Sequence, residues 1–306
     1  MAKKQLTFWG RVGRRAWRNW KVTRAFVAPA DPKKKRVLFI FGHQRSGTTM
    51  LIVNVLEWDP RARVYGEQSA LTLPPPHRLR LRPLPEVAEI ISRYPEALVV
   101  AKPLVESGRA AEILGAVPNS RGIWFFRDFI DNIDSQIHRF HRQVDDLRLM
   151  LHPDEGDWRH VGVSEEQKEL IRRYFKPDMS REDAAALLWY VRSSFYYLHG
   201  LDRMPEMALL RYEDITSRPA EVVRNLYRFL DLDYPGDALI RQIHTRSVGK
   251  KVTLALSPEI RALCVELQNR LEESNADHGL GGRNPAAGTA IAPSAAHSGT
   301  LSSHQR

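Results

Sequence analysis

The sequence predicts an α/β fold, a doubly wound parallel sheet flanked by helices, on three observations. Short apolar runs at 37–41, 64–65, 97–101, 122–126 and 207–210 are continuous rather than alternating, as strands covered on both faces require. Helix-period segments lie between them at 49–58, 85–94, 109–114, 131–141, 181–199 and 220–230, and strands alternating with helices build a parallel sheet. Groups suited to binding anions follow the strands, at the carboxyl edge where such sheets hold ligands.

Three regions separate by composition. Residues 1–36 hold twelve Lys and Arg against Asp31, a charge of +11, whereas the rest of the chain carries 34 bases and 35 acids. The net charge of +10 therefore does not describe a protein that is basic over its whole surface, and the body is neutral. Residues 37–274 form the motif-bearing domain. Residues 275–306, rich in Gly, Ala, Ser and Pro with no aromatic residue, are expected to be a disordered tail. On a helical wheel of residues 9–21, Trp9, Val12, Ala16 and Trp20 share one face and Arg11, Arg14, Arg15, Arg18 and Lys21 the other. That basic amphipathic segment suits peripheral membrane contact, or docking of its Trp face on the domain with the bases left in water.

A single cysteine, Cys264, excludes an internal disulfide framework and a Cys-cluster zinc site. No apolar run is long enough to span a bilayer. The arginines of the first twenty residues break any signal-peptide core, and no Ser precedes Ser46, unlike a mitochondrial presequence. A cytoplasmic location is the simplest expectation.

The first strand runs into Gly42-His43-Gln44-Arg45-Ser46-Gly47-Thr48-Thr49, where a helix begins. A Gly-flanked strand-to-helix loop turns backbone N–H groups toward one point and makes an anion site. The glycine spacing is that of a Walker A loop, but Thr48 stands in place of the Walker lysine. That argues against an ATPase or kinase. Arg45 supplies a cation within the loop instead.

Arg45-Ser46-Gly47-Thr48-Thr49 resembles the 5′-phosphosulfate loop of the sulfotransferases that use 3′-phosphoadenosine 5′-phosphosulfate (PAPS). The fourth strand ends in Phe125-Phe126-Arg127-Asp128, and Ser135 follows Arg127 by eight positions, similar to that family's 3′-phosphate motif. A guanidinium forking onto phosphate and a helix hydroxyl donating beside it suit that role. Leu210-Arg211-Tyr212-Glu213-Asp214 looks like the family's Tyr-Glu-Asp strand end, which implies that Tyr212 lies near the adenine. Arg246-Ser247-Val248-Gly249-Lys250-Lys251 resembles its late basic-Gly loop, which assigns Ser247, Gly249 and Lys250 to the cofactor. The resemblance covers about residues 37–274 and implies a fold like a nucleotide kinase's, with PAPS as co-substrate and no metal.

Lys102, at the end of a strand, matches a family lysine that approaches the sulfuryl group. Cytosolic members carry a histidine base two positions later, where this chain has Leu104. The segment from Asp59 to Glu67 resembles the second strand of the tyrosylprotein and carbohydrate branches, in which a Glu after the strand is the base. Glu67 is therefore the expected base, with His43 in reserve. His138 and His141 lie one helical turn apart without an evident third metal ligand, and Asp128 is Walker-B-like by position.

The aromatic-rich segment 141–200 could line an acceptor pocket or fill the core. Pro74-Pro75-Pro76 with Arg78, Arg80 and Arg82 reads as a lid or a solvated linker. The expected activity is sulfuryl transfer from PAPS to a hydroxyl or amine of a carbohydrate, lipid or phenol. Arg45, Lys102 and Glu67 form the expected catalytic set, and Ser46, Gly47, Thr48, Thr49, Arg127 and Ser135 hold the nucleotide. The alternative is a non-catalytic adenine-nucleotide-binding or membrane-adaptor protein. Nucleic acid is not an expected partner.

Overall fold

The computed structural model describes residues 8–243 and 252–282. Five strands, β1 (Arg36–Gly42), β2 (Ala62–Tyr65), β3 (Leu98–Ala101), β4 (Ser120–Phe126) and β5 (Met207–Arg211), pair in the order β2-β3-β1-β4-β5, all parallel. Phe39 lies opposite Ala101, Gly42 opposite Phe125, and Phe126 opposite Arg211, so the carboxyl ends line one edge. The connection from β1 leads toward β2 and that from β4 toward β5. The crevice between β1 and β4 is thus the switch point where a doubly wound sheet binds ligands.

Because successive side chains point to opposite faces, each strand feeds two cores. Val37, Phe39, Phe41, Val99, Ala101, Trp124 and Phe126 enter one, and Leu38, Ile40, Leu98, Val100, Ile123 and Phe125 the other. This two-sided burial is why the strand runs are apolar throughout.

In chain order the helices are α1 (Phe8–Val27), α2 (Thr48–Asn54), α3 (Leu84–Ser92), α4 (Ala110–Ala116), α5 (Phe129–Ile137), α6 (Gln143–Leu151), α7 (Glu165–Tyr174), α8 (Arg181–Ser193), α9 (Phe195–Leu198), α10 (Tyr212–Ser217), α11 (Pro219–Phe229) and α12 (Pro258–His278). Residues of α3 to α8 and of α12 pack in the first core, and those of α2, α10 and α11 in the second. The single helix expected over 181–199 is interrupted at Ser194. Gln167 Nε2 donates to the Val191 carbonyl oxygen at 2.8 Å, and the Ser194 hydroxyl donates to the same oxygen at 3.0 Å. A side chain inserted into the ladder ends the helix there.

The expected boundary at 274 falls inside α12. Its apolar positions Ile260, Cys264, Leu267 and Leu271 are buried, and so is Asn275. The following Gly279-Leu280-Gly281-Gly282 is tied down: Leu280 N–H donates to the Leu209 carbonyl oxygen at 2.9 Å, and Asn225 Nδ2 to the Leu280 carbonyl oxygen at 2.9 Å. A Cβ at Gly281 would lie 2.2 Å from Asp214 Oδ2. The glycines that suggest disorder by composition here allow close approach to the domain. Residues 283–306 lie outside the described residues.

Helix α1 docks, but through its basic side. Trp17 Nε1 donates to the Glu57 carbonyl oxygen at 3.0 Å, and Arg18 forks onto the Glu57 carboxylate at 2.8 and 3.1 Å. Lys21, 5% exposed, donates to the carbonyl oxygens of Glu57 and Ala62 at 2.8 and 2.9 Å. Ala16 and Trp20, from the expected apolar face, stay exposed. Of the expected docking face, Ala16 and Trp20 are thus not what meets the domain, while the side chains of Trp9 and Val12 lie outside the described residues. The bases Arg18 and Lys21 are used because the turn after α2 presents the buried Glu57 carboxylate, and Glu57 and Ala62 of β2 present carbonyl oxygens to Lys21.

Candidate functional site

At the carboxyl edge, β1 delivers the chain to Gly42, where φ is 122°. A Cβ there would lie 2.2 Å from the Phe125 carbonyl oxygen, so only glycine keeps β1 and β4 paired to their ends. The Ser107 hydroxyl accepts from Gly42 N–H at 3.0 Å and donates to the Leu104 carbonyl oxygen at 2.8 Å. Beyond it the loop alternates handedness, with φ of 68° at Arg45 and 101° at Gly47, the geometry that turns N–H groups inward. A Cβ on Gly47 would lie 2.1 Å from Tyr212 Cδ2, which places the Tyr212 ring directly against the loop.

Ser46 and Thr48 are buried, while Arg45 and Thr49 stand on the outside. Asn132 Nδ2 donates to the Gln44 carbonyl oxygen and to Ser46 Oγ, both at 3.1 Å, and Gln136 Nε2 donates to Asn132 Oδ1 at 2.8 Å. Asn132 and Gln136 thus fix the loop, a role the sequence motifs do not reveal. The available signal is their spacing, two buried amides one turn apart on α5.

Arg45 Nε donates to Ser135 Oγ at 3.0 Å, so the two distant motifs touch. Arg127 Nη2 pairs with Asp131 Oδ2 at 3.0 Å, and its guanidinium lies 4.8 Å from the Tyr212 ring centroid. Partial removal from water, and then the like charges of Arg139 and Arg127, hold Arg45 below its ordinary range. Arg139, just after α5, is a third cation of this cluster that no motif marks.

Lys102 ends β3 and is 9% exposed. Its Nζ lies 3.0 Å from Thr49 Oγ1 and 2.8 Å from Glu67 Oε1. The register explains this: Ala101 pairs with both Phe39 of β1 and Tyr65 of β2, so Lys102 leaves the sheet between the loop and the turn that carries Glu67. Leu104, two residues on, is buried.

His43 is buried, with its Nε2 2.6 Å from Gln136 Nε2. Burial, and then the charge of Arg192, push it down to about 3. A buried neutral imidazole held by an amide is a weak proton acceptor. Asp128 caps α5 by accepting from Asp131 N–H at 3.0 Å. His138 lies against Asp134, and among the described residues no group of three or more His, Cys, Asp or Glu could hold a metal ion. Ser247, Gly249 and Lys250 lie outside the described residues.

In the segment 141–200, Trp189 and Phe195 are fully buried core. Arg80 is no solvated linker residue: its Nε donates at 2.7 Å to Glu106 Oε1, a carboxylate with no exposed surface. No helix among the described residues is long and apolar enough to cross a membrane.

No family model matches the chain, and neither does any curated protein. Among solved structures it is similar to a sulfotransferase of Alicyclobacillus acidocaldarius at 17% identity, covering 78% of this chain and 95% of that one with a TM-score of 0.43. A sulfotransferase of Mycobacterium avium is 15% identical over 88% of this chain and 81% of its own, TM-score 0.43. A mouse sulfotransferase complexed with PAP is 15% identical over 84% and 90%, TM-score 0.40.

Proposed function

We propose that the chain is a sulfotransferase that moves the sulfuryl group of PAPS to a hydroxyl or amine acceptor. The observation that carries this reading is Lys102 Nζ, held between Thr49 Oγ1 of the loop and Glu67 Oε1. It joins a donor-side residue, a mobile-proton acceptor and a cation at one point of the carboxyl edge. Supporting it, Arg45 meets Ser135 while Arg127 and Arg139 crowd it with like charge, an arrangement that a bound polyanion relieves.

In this reading Ser46, Gly47, Thr48 and Thr49 hold the 5′-phosphosulfate largely through backbone N–H groups. Arg127 and Ser135 hold the 3′-phosphate, aided by Ser247, Gly249 and Lys250, and Tyr212 borders the base. The acceptor oxygen attacks sulfur in line, its proton passes to Glu67, and the bond from sulfur to the phosphate oxygen breaks. Lys102 and Arg45 meet the charge that develops on the leaving nucleotide, 3′-phosphoadenosine 5′-phosphate (PAP). Placed cations can supply this stabilisation without a metal. The acceptor is a carbohydrate, lipid or phenol. The exposed Ala16 and Trp20 of α1 form a surface for an anionic membrane, the setting that tryptophan among basic residues suits.

The test is transfer of ³⁵S from labelled PAPS across an acceptor library. Label incorporated by the full chain and lost in Glu67→Gln supports the reading. Nucleotide binding with no transfer to any acceptor favours the non-catalytic alternative.

A further inference from the structure

A cavity of about 30 Å³ adjoins the phosphate loop. Its walls include His43 and Gln44 of the loop, Leu104, Asp146, Trp158 and Arg192 of α8. The loop residues His43 and Gln44, and Leu104 two residues after Lys102, tie the cavity to the elements that carry the proposed transfer centre.

Arg192 is 6% exposed. Its Nη2 donates to the Arg159 carbonyl oxygen at 2.6 Å, while Nη1 is buried without a hydrogen-bond partner. The guanidinium lies 5.0 Å from the Trp158 ring centroid and 5.4 Å from that of Phe195. Both carboxylates nearby are engaged elsewhere: Asp146 and Asp157 each meet Arg159 at 2.6 Å. Among the described residues Arg192 makes no ion pair. Burial, and then the like charge of Arg159, bring it down to about 10, so it stays cationic at neutral pH. His43, on the same wall, is neutral at that pH.

A buried cation with an unmet donor costs stability and persists where a ligand uses it. A guanidinium forks onto an oxyanion, a carboxylate among them. The cavity has room for a small group such as a carboxylate head.

Resting on the sulfotransferase reading, we propose that the acceptor carries a carboxylate which enters this cavity and binds Arg192, with its reacting hydroxyl or amine toward Lys102 and Glu67. Arg192 is the residue that selects such hydroxy or amino acids over their uncharged counterparts.

The test uses the full chain, with and without saturating PAP, and formate as the minimal carboxylate probe, with formamide as its neutral counterpart. Melting temperature is followed across each titration. Formate is expected to stabilise the wild type and formamide not. Arg192→Met should bind formate at least tenfold more weakly and Arg192→Lys should regain part of the response. Without any ligand, Arg192→Met should melt within a few degrees of the wild type, because removal of a buried, unpaired charge offsets loss of the hydrogen bond to the Arg159 carbonyl oxygen and of the ring contacts.

Equal formate responses in wild type and Arg192→Met would overturn the proposal, as would no response in either. A melting temperature several degrees lower in Arg192→Met assigns Arg192 a structural role and overturns it too. Failure of PAP to bind removes the sulfotransferase reading, and the formate arms without PAP still report on the cavity. In the transfer assay, 4-hydroxyphenylacetate should exceed its methyl ester in kcat/KM by at least tenfold, and that preference should vanish in Arg192→Met.

Discussion

Arg127→Met separates a structural role from a ligand role. Arg127 and Asp131 are both buried, with side chains 8% and 6% exposed and 3.0 Å between Nη2 and Oδ2. Removing the guanidinium leaves the Asp131 carboxylate buried without that partner. Breaking a buried pair from one side costs about 3 kcal/mol. The guanidinium also faces the Tyr212 ring, and losing that contact adds roughly 1 kcal/mol. Urea denaturation should therefore show a loss of about 4 kcal/mol, and the double variant Arg127→Met with Asp131→Asn should recover most of it.

The ligand term is read by calorimetric titration with PAP and with AMP, which lacks the 3′-phosphate. Loss of a charge-assisted, two-pronged contact to phosphate is worth about 2–3 kcal/mol, or roughly 30- to 150-fold in affinity. That factor should appear for PAP and not for AMP, in the single and the double variant alike. An equal loss for both nucleotides would refute the assignment of Arg127 to the 3′-phosphate and leave it a structural residue.

Glu67→Gln should keep PAP affinity within about twofold while transfer falls by at least 10²-fold, the usual scale for a lost general base, and single-turnover ³⁵S transfer checks it. The depressed His43 sets a pH dependence. Between its ordinary value of 6.5 and about 3 the unfolded chain binds a proton that the fold does not, so stability present above pH 6.5 is lost as pH falls. The expected slope from this group approaches about 1.4 kcal/mol per pH unit, and His43→Gln should flatten the profile by that amount in urea melts at pH 4.5 to 7. Trp20 is 49% exposed, so Trp20→Ala should reduce co-sedimentation with vesicles containing phosphatidylserine and leave the melting temperature within a degree or two; unchanged binding would dispose of the membrane contact.

The sheet was legible because its signal is local. Leu38 to Phe41 or Leu98 to Ala101 must be apolar at every position if both faces are covered, and all five expected strands formed. Helices with a clear pattern but no flanking strand were less visible. Neither α7, with its Ser164–Gln167 capping box, nor α12, with its buried stripe, was among the expected helices. The Gly-rich composition just beyond α12 pointed instead to disorder. Composition cannot report that Gly281 lies against Asp214.

The gathering of Arg45, Thr49, Lys102, Arg127 and Ser135 at one edge was legible because each sits at a fixed offset from a strand end, and a parallel sheet brings strand ends together. Asn132, Gln136, Arg139 and Arg192 were not, because their meaning is tertiary. An amide on a helix face looks the same whether it holds a loop or meets water. Burial of Lys21 under α1 was hidden for the same reason: a lysine on a wheel reads as solvated until the carbonyl oxygens of Glu57 and Ala62 are placed beside it.

The central claim is that the loop and the Arg127–Ser135 pair hold a 3′-phosphorylated adenine nucleotide. Thermal shift of the full chain with PAP, set against ATP with Mg²⁺ at equal concentration, tests it most directly. The account expects clear stabilisation by PAP, at least several-fold larger than that by ATP with Mg²⁺. No shift with PAP, or a larger one with ATP and Mg²⁺, would contradict it.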